Sequence, residues 1–432
     1  MFKYLSQILQ AKDLRNKLLF TLAMIVVYRA ISHITIPGVN LEALQEVFDR
    51  NKILGAFSML TGGSTKNFSI VLMGLSPYIN AVIIMQLLTV IVPRMEALSK
   101  EGEQGRKKIT QYTRWLTVPM AFIQSYGMIL LINSQSNAEI ITNMGSPAVL
   151  LPIMLTITTG TLLLMWIGEL ITEKGISNGV SILIFSGIIA GLPGMAGQVL
   201  ALAMEDNARL IPFTAGIVIT VMLAIVIILV TEGQRKIPVT YAGRSGVSKG
   251  EQASLPIRIN QAGMIPIIFA VSMITFPGIL GQFMVNGESA WVIKTGEFLQ
   301  SAFQVGTPLY LSSYVLLIIA FTYFYVSITF NPVEVADNIQ KRGGFVPGIR
   351  PGKQTAEYLQ KVSNRLNLFG GVFIAFIAVM PILMQKTLSG SSMGSIPMLI
   401  SGAGMIIVVG VVLELIRQIN AQLIMHNYEK FY

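Results

Sequence analysis

The chain has 432 residues, of which 53% are hydrophobic and only 12% charged. That charged share is about half the ~25% of ordinary globular domains, which excludes disorder, fibres and an ordinary soluble multidomain enzyme. The formal charge of +10 would suit a nucleic-acid binder. The basic residues fall mainly between apolar runs, however, where membrane topology accounts for them without DNA.

At the start, Phe2, Leu5 and Leu9 repeat at helical spacing among Lys3, Asp13, Arg15 and Lys17. This predicts an interfacial amphipathic helix leading into a first span. Ten apolar segments follow, near 18–36, 68–92, 115–133, 148–168, 179–194, 211–230, 261–281, 308–329, 368–385 and 397–416. Each is long enough, or nearly so, for the ~20 residues that cross a bilayer. Prolines 77, 119, 152, 266, 277 and 381 lie in or beside them, a pattern tolerated in helix bundles where neighbours satisfy the freed backbone groups. Between the first two spans, residues 54–64 are apolar but too short to cross, and glycines bound them. They read as a short helix lodged on or in the outer side of the bundle, or as an external amphipathic loop helix.

Counting Lys and Arg by alternate loops gives 24 on one side and 6 on the other. The positive-inside rule then places both termini, and loops 93–114, 231–260 and 330–367, in the cytoplasm. Ten spans with both ends inside divide into two five-span halves, 1–194 and 195–432, and an odd number per half inverts the second relative to the first.

The spans hold almost no ionisable groups. Arg29 and His33 sit in the outer half of the first span, His33 reading as a satisfied interface histidine. Glu169 and Glu414 lie near cytoplasmic span ends, where snorkelling or interhelical pairing satisfies them. His426 is the second of only two histidines and cysteine is absent, so neither a metal cluster nor a disulfide can be built, and no cofactor is expected. No phosphate-binding loop, zinc-protease helix or nucleophile elbow is present. Asn67-Phe68-Ser69 fits a glycosylation triplet, a pattern common by chance. Gly187 and Gly191 are spaced for close helix packing.

Isoleucines recur at helical spacing: Ile79 and Ile83, Ile184 and Ile188, with Ile268 after Pro266 and Ile406 and Ile407 in the last span. Pairs at i and i+4 share a helix face. Such faces either converge on a narrow apolar ring that excludes water and ions or face lipid and packed neighbours. Two long loops carry basic residues, Arg235, Lys236, Arg244, Lys249 and Arg258 in one and Lys341, Arg342, Arg350, Lys353, Lys361 and Arg365 in the other. Gly343 to Gly352 is rich in turn residues, which predicts a rigid tip presenting Arg350 to an acidic or RNA surface; charge that merely sets topology explains the number of basic residues but not this framework.

Several stretches are specific: Met73-Gly74-Leu75-Ser76-Pro77-Tyr78-Ile79, Glu169 to Gly179, Thr231-Glu232-Gly233-Gln234-Arg235-Lys236-Ile237, and Gly344 to Gly352. Through them the whole chain resembles the SecY family, the channel subunits of the general protein-translocation machinery. The resemblance implies an all-α polytopic clamshell of ten transmembrane helices in the bacterial cytoplasmic membrane, around an hourglass pore. Its constriction would be Ile79, Ile83, Ile184, Ile188, Ile268 and Ile407, the last beside the alternative Ile406. Leu54, Gly55, Ala56, Phe57, Ser58, Met59, Leu60 and Thr61, within segment 54–66, would form a plug. Gln124 and Asn260 would be polar residues of a lateral gate that releases signal sequences and spans into lipid. Arg235, Lys236, Arg244, Lys341, Arg342 and Arg350 would dock the SecA motor ATPase or the ribosome. SecE and SecG would be partner subunits, and unfolded preproteins the substrates. Val82 and the short, weakly basic stretch 245–251 depart from the family pattern. An inverted-repeat secondary transporter of small solutes is the other reading, which predicts midplane polar binding groups; a scaffold without a pore is the third.

Overall fold

The computed structural model describes residues 10–41, 43–44, 67–134, 140–141, 146–205, 210–241, 254–285, 287, 289–388 and 401–429. The expected plug residues 54–61, Arg244, and most of the expected N-terminal interfacial helix lie outside them. Chain contacts define two compact units. One comprises Met1–Leu202, Thr275–Val305 and Val411–Tyr432, and the other Ala203–Ile274 and Gly306–Gly410.

The first unit contains α1 (Lys12–Ile31), α2 (Ser76–Ile91), α3 (Pro93–Lys100), α4 (Glu103–Ser134), α5 (Pro147–Lys174) and most of α6 (Gly179–Glu205). α5 buries one long face, with Ile153, Met154, Ile157, Thr161, Leu164, Ile167 and Ile171 inward. Small residues let neighbours approach it: a methyl at Gly160 would overlap the Ile70 carbonyl. α2 and α3 meet at a 99° bend. Val92 before Pro93 is extended, as the steric clash of a following proline ring demands, and α3, with no buried residue, turns away from the bundle.

Residues 68–75, read from sequence as the start of the second span, are not helical. They form buried turns joined to the chain just after α1 by Ile36 N–H to Phe68 O (3.1 Å) and Ile70 N–H to Ile34 O (3.0 Å). Non-helical backbone at this depth is tolerated because protein surrounds it: Phe68, Val71 and Leu72 are fully buried, Phe68 and Leu72 within a cluster that includes Leu44, Ile129, Ile132 and Ile157. Burial of Phe68 and Ser69 also removes the glycosylation reading of that triplet. The expected outer loop 282–307 contains a helix, α9 (Ala290–Ala302), which meets the end of α8 (Ile265–Val285) across Gly281 and Gly296. A Cβ at Gly191 would meet nothing within 4 Å, whereas one at Gly281 or Gly296 would run into the backbone of the other helix.

The second unit contains α7 (Leu210–Glu232), the first part of α8, α10 (Pro308–Thr329), α12 (Lys353–Leu388) and the start of α13 (Gly402–Glu429). α10 starts on a Thr307 side-chain cap with Pro308 in its first turn, where a missing N–H costs nothing. Between α7 and α8, and between α10 and α12, the described parts of the two long loops carry strands and a helix. Strands β1 (Gln234–Pro238) and β3 (Ser254–Arg258) pair antiparallel, β2 (Thr240–Tyr241) pairs with β4 (Gly344–Phe345), and α11 (Pro332–Lys341) completes a platform.

Among the described residues, six spans are long and apolar enough to cross a membrane: α4, α5, α7, α10 with α11, α12 and α13; the bent pair α2–α3, taken as one span, makes a seventh. Shorter apolar helices lie at 179–194 and 265–278. These helices and α1 overlap the apolar segments read from sequence. Trp115, Trp166, Leu316 and Phe376 are exposed, the surface of a protein whose solvent is lipid.

Candidate functional site

Each sequence stretch that set this chain apart builds a turn or a close approach. In the first, Gly74 adopts a positive φ of 55°, which a residue without a Cβ takes at little cost. Its N–H bonds the Val71 carbonyl at 2.9 Å, and Pro77 then opens α2. The turns therefore deliver α2 with Ile79 in its first turn, half-buried, and Ile83 one turn on, buried.

In the second stretch, Thr172 Oγ1 donates to the Gly168 carbonyl and accepts from Gly179 N–H, both at 2.9 Å. Asn178 Oδ1 accepts from Val180 N–H at 3.0 Å and Ser181 N–H at 3.3 Å, capping the first turn of α6. Ile176 N–H reaches Thr21 Oγ1 on α1 at 3.2 Å. The α5–α6 connection is thus pinned at three points, and it sets α6 with Ile184 and Ile188 buried on one face.

In the second unit Ile268 is half-buried in the first turn of α8, and Ile407 is buried near the start of α13. Gly410, less than one turn beyond Ile407, packs on the Met264 side chain. Ile406 and Ile407 are equally buried, at 3% and 2% exposure, so burial does not choose between them. Four of the six isoleucines belong to the first unit and two to the second.

The expected gate residues behave differently. Gln124 on α4 buries its Oε1 with no partner among the described residues, as do Gln86 Oε1 on α2 and Thr161 Oγ1 on α5. Unsatisfied polar atoms at such depth call for an explanation, and only Gln124 was singled out from sequence. Asn260 spends its amide locally: Oδ1 accepts from Gly263 N–H at 2.9 Å and Nδ2 donates to the Gly263 carbonyl at 3.4 Å. It closes the turn that starts α8, with Gly263 at φ 65°. Beside it Gln261 Oε1 accepts from Ser363 Oγ at 3.2 Å, and Ser363 Oγ accepts from Asn367 at 3.4 Å.

The third and fourth stretches build the platform. Gly233 leaves room for the Ile259 side chain, and Ile259 N–H bonds its carbonyl at 2.9 Å, so β1 leaves α7 already paired with β3. Gly344 lies against the Tyr241 ring, where a Cβ would come within 2.7 Å of a ring carbon. Ile237, Val239, Ile257, Ala336, Ile339, Val346, Leu359 and Val362 form a core beneath the strands. On this core Arg350 is exposed between Gly348 and Gly352, both of positive φ, and Thr355 Oγ1 donates to its carbonyl at 2.9 Å. Arg235, Lys236, Lys341 and Arg342 are exposed on the same platform. Sequence reasoning found the basic residues but not that the described parts of the two loops share one core; the two-residue spacing of Ile237 with Val239 and of Leu255 with Ile257 was the signal available.

Among the described residues no cluster of His, Asp or Glu could hold a metal. Glu169 is paired with Arg114, and His33 Nδ1 lies 2.7 Å from the Arg29 carbonyl.

These features define a polytopic helical membrane protein with a folded extramembrane platform. The model of the SecY family matches residues 69–416. Over its whole length the chain is 40% identical to the protein translocase subunit SecY of Bacillus licheniformis, covering 99% of that protein, and it is 39% identical over 96% of its length to that of Vibrio cholerae. The chain belongs to the SecY family. Its fold also resembles a solved protein-conducting channel (TM-score 0.65, 16% identity, 94% of this chain and 92% of that one) and Sec61 in a canine ribosome-channel complex (TM-score 0.62, 17% identity, the same coverage).

Proposed function

We propose that this chain is the protein-conducting channel subunit of a Sec translocase, passing unfolded secretory proteins across the membrane and releasing membrane spans sideways into lipid. The observation that carries this is identity near 40% along the entire chain to protein translocase subunits SecY. In this reading the halves 1–194 and 195–432 are the two jaws of the clamshell. Ile79, Ile83, Ile184, Ile188, Ile268 and Ile407 seal the pore, since an apolar ring holds no peptide tightly and still excludes ions. Residues 54–61 plug it. Gln124, whose buried oxygen has no partner among the described residues, and Asn260 contribute to the lateral gate. Arg235, Lys236, Arg244, Lys341, Arg342 and Arg350 dock SecA or the ribosome, and SecE and SecG complete the complex. The membrane is the bacterial cytoplasmic membrane, with both termini and the platform on the cytoplasmic side.

The test is reconstitution with a SecE partner, SecA, ATP and a secretory precursor, scored by protease protection. ATP-dependent protection is the expected result. Its absence in a folded, assembled complex would overturn the reading.

A further inference from the structure

α9 carries none of the pore, gate or docking residues. It packs on α8 backbone to backbone: a Cβ on Gly296 would come within 2.8 Å of the Gly281 carbonyl oxygen and 2.7 Å of the Val285 nitrogen. α8 has 21 residues, which at ~1.5 Å each come to about 31 Å, close to the ~30 Å of a hydrocarbon core. Gly281 lies one turn before the end of α8. α9 therefore crosses α8 about 5 Å inside the end of the span, at the level where acyl chains meet headgroups, and soon after α9 ends Pro308 opens the next span.

At helical periodicity α9 has three faces, about a third of a turn apart. Gly296 marks the face against α8. Trp291, Thr295, Phe298 and Ala302 share the second. Trp291 and Phe298 are 75% and 63% exposed, and Thr295 Oγ1 donates to the Trp291 carbonyl at 2.9 Å, so the hydroxyl on this face is already bonded. The third face carries Lys294 and Glu297, both exposed. α8 itself exposes Phe276 and Leu280 within two turns of the crossing, so apolar surface leads up to α9. The two charges exclude deep immersion, and the Trp–Phe face would be an unfavourable patch in water. A helix with one aromatic and one charged face, crossing a span just inside its end, fits the plane of a membrane interface.

We propose that α9 lies in the interfacial plane of the leaflet at the end of α8 remote from β3, with Trp291 and Phe298 among the acyl chains of neutral phospholipid and Lys294 and Glu297 in water. Because the two helices touch backbone to backbone at Gly281 and Gly296, α9 also fixes the depth at which that end of α8 sits. The seating needs only that α8 crosses a membrane, so it stands or falls independently of protein conduction.

The chain has no cysteine, so single thiols report each face without background. The full-length chain carrying W291C, F298C, K294C or E297C, one chain per phosphatidylcholine nanodisc, is treated with a water-soluble maleimide. Each rate is divided by that of the same variant unfolded in denaturant. All four side chains are exposed on the protein itself, so in such discs only lipid can shield two of them, and a thiol among acyl chains is held in its unreactive protonated form. W291C and F298C should react on the order of tenfold more slowly than K294C and E297C. Equal rates, or slow reaction at all four positions, would overturn the proposal. Protection seen with two chains per disc but not with one would assign the face to a second copy and overturn it as well. The natural side chain gives a second readout: in W115F/W166F the fluorescence of Trp291 should be quenched more by a nitroxide near the headgroup end of the acyl chain than by one near its methyl end. Stronger quenching by aqueous iodide than by either nitroxide would place Trp291 in water and overturn the seating.

Discussion

Arg114 on α4 and Glu169 on α5 are joined at two points. Arg114 Nε donates to Glu169 Oε1 at 2.8 Å, and its Nη2 lies 2.8 Å from Oε2. The residues are 55 apart in sequence, and the arginine side chain is 49% exposed against 22% for the glutamate. The pair resolves the presence of a carboxylate near the end of an otherwise apolar helix: it is a clasp between neighbouring helices.

Because the arginine is half in solvent, the clasp belongs to the weaker class of ion pairs. A double-mutant cycle on R114Q and E169Q should return a coupling of about 0.5–1 kcal/mol, read from thermal unfolding in detergent. Coupling near zero would mean that the two-point geometry contributes nothing.

Glycine substitutions should separate by what a methyl would meet. G160A drives a Cβ into the Ile70 carbonyl, which an interior packed at crystal density absorbs only by shifting backbone. A loss of about 1–3 kcal/mol is expected. G191A meets nothing within 4 Å and should be neutral or slightly stabilising, since alanine favours helix by ~1 kcal/mol. Equal melting temperatures for the two variants would contradict the packing.

The isoleucines offer a test of the proposed seal. Replacing Ile79, Ile83, Ile184 and Ile188 by serine should raise ion conductance across planar bilayers. Ile83 is 3% exposed, so its truncation also costs folding stability of ~2–5 kcal/mol when taken to alanine. Conductance measured only on variants that remain folded separates leak from unfolding. An unchanged baseline would remove these residues from the seal.

At the platform tip, R350E should depress SecA-driven translocation without lowering the melting temperature. T355V, which removes the hydroxyl donating to the Arg350 carbonyl, should lower it less while costing about 1 kcal/mol locally, detected as faster hydrogen exchange of residues 346–352. A T355V effect larger than that of R350E would mean that the tip's shape, rather than its charge, is what the partner reads.

The core under that tip is open to a direct test. Leu359 is fully buried there, and L359A should cost ~2–5 kcal/mol and expose residues 330–352 to limited proteolysis while α10 and α12 remain protected. Resistance equal to wild type would show that the strands hold the platform without its core.

Sequence alone determined the membrane class, the number of apolar segments and the family, because hydropathy windows, Lys and Arg sums and contiguous motifs are local quantities that survive without knowledge of contacts. It also placed the isoleucine pairs on shared helix faces, since a spacing of four needs only helical geometry. It misread residues 68–75 as helix: an apolar run looks the same whether it is coiled or folded into buried turns, and only the contacts of Phe68 and Ile70 with the chain just after α1 distinguish the two. What tertiary structure decided lies at long sequence separation. Tyr241 pairs with Gly344, Arg114 with Glu169, and Arg235 shares a cavity with Lys361 and Arg365. No local pattern encodes these meetings, because which face meets which is settled by packing many elements at once, and a basic residue that sets topology reads in sequence the same as one that lines a cavity.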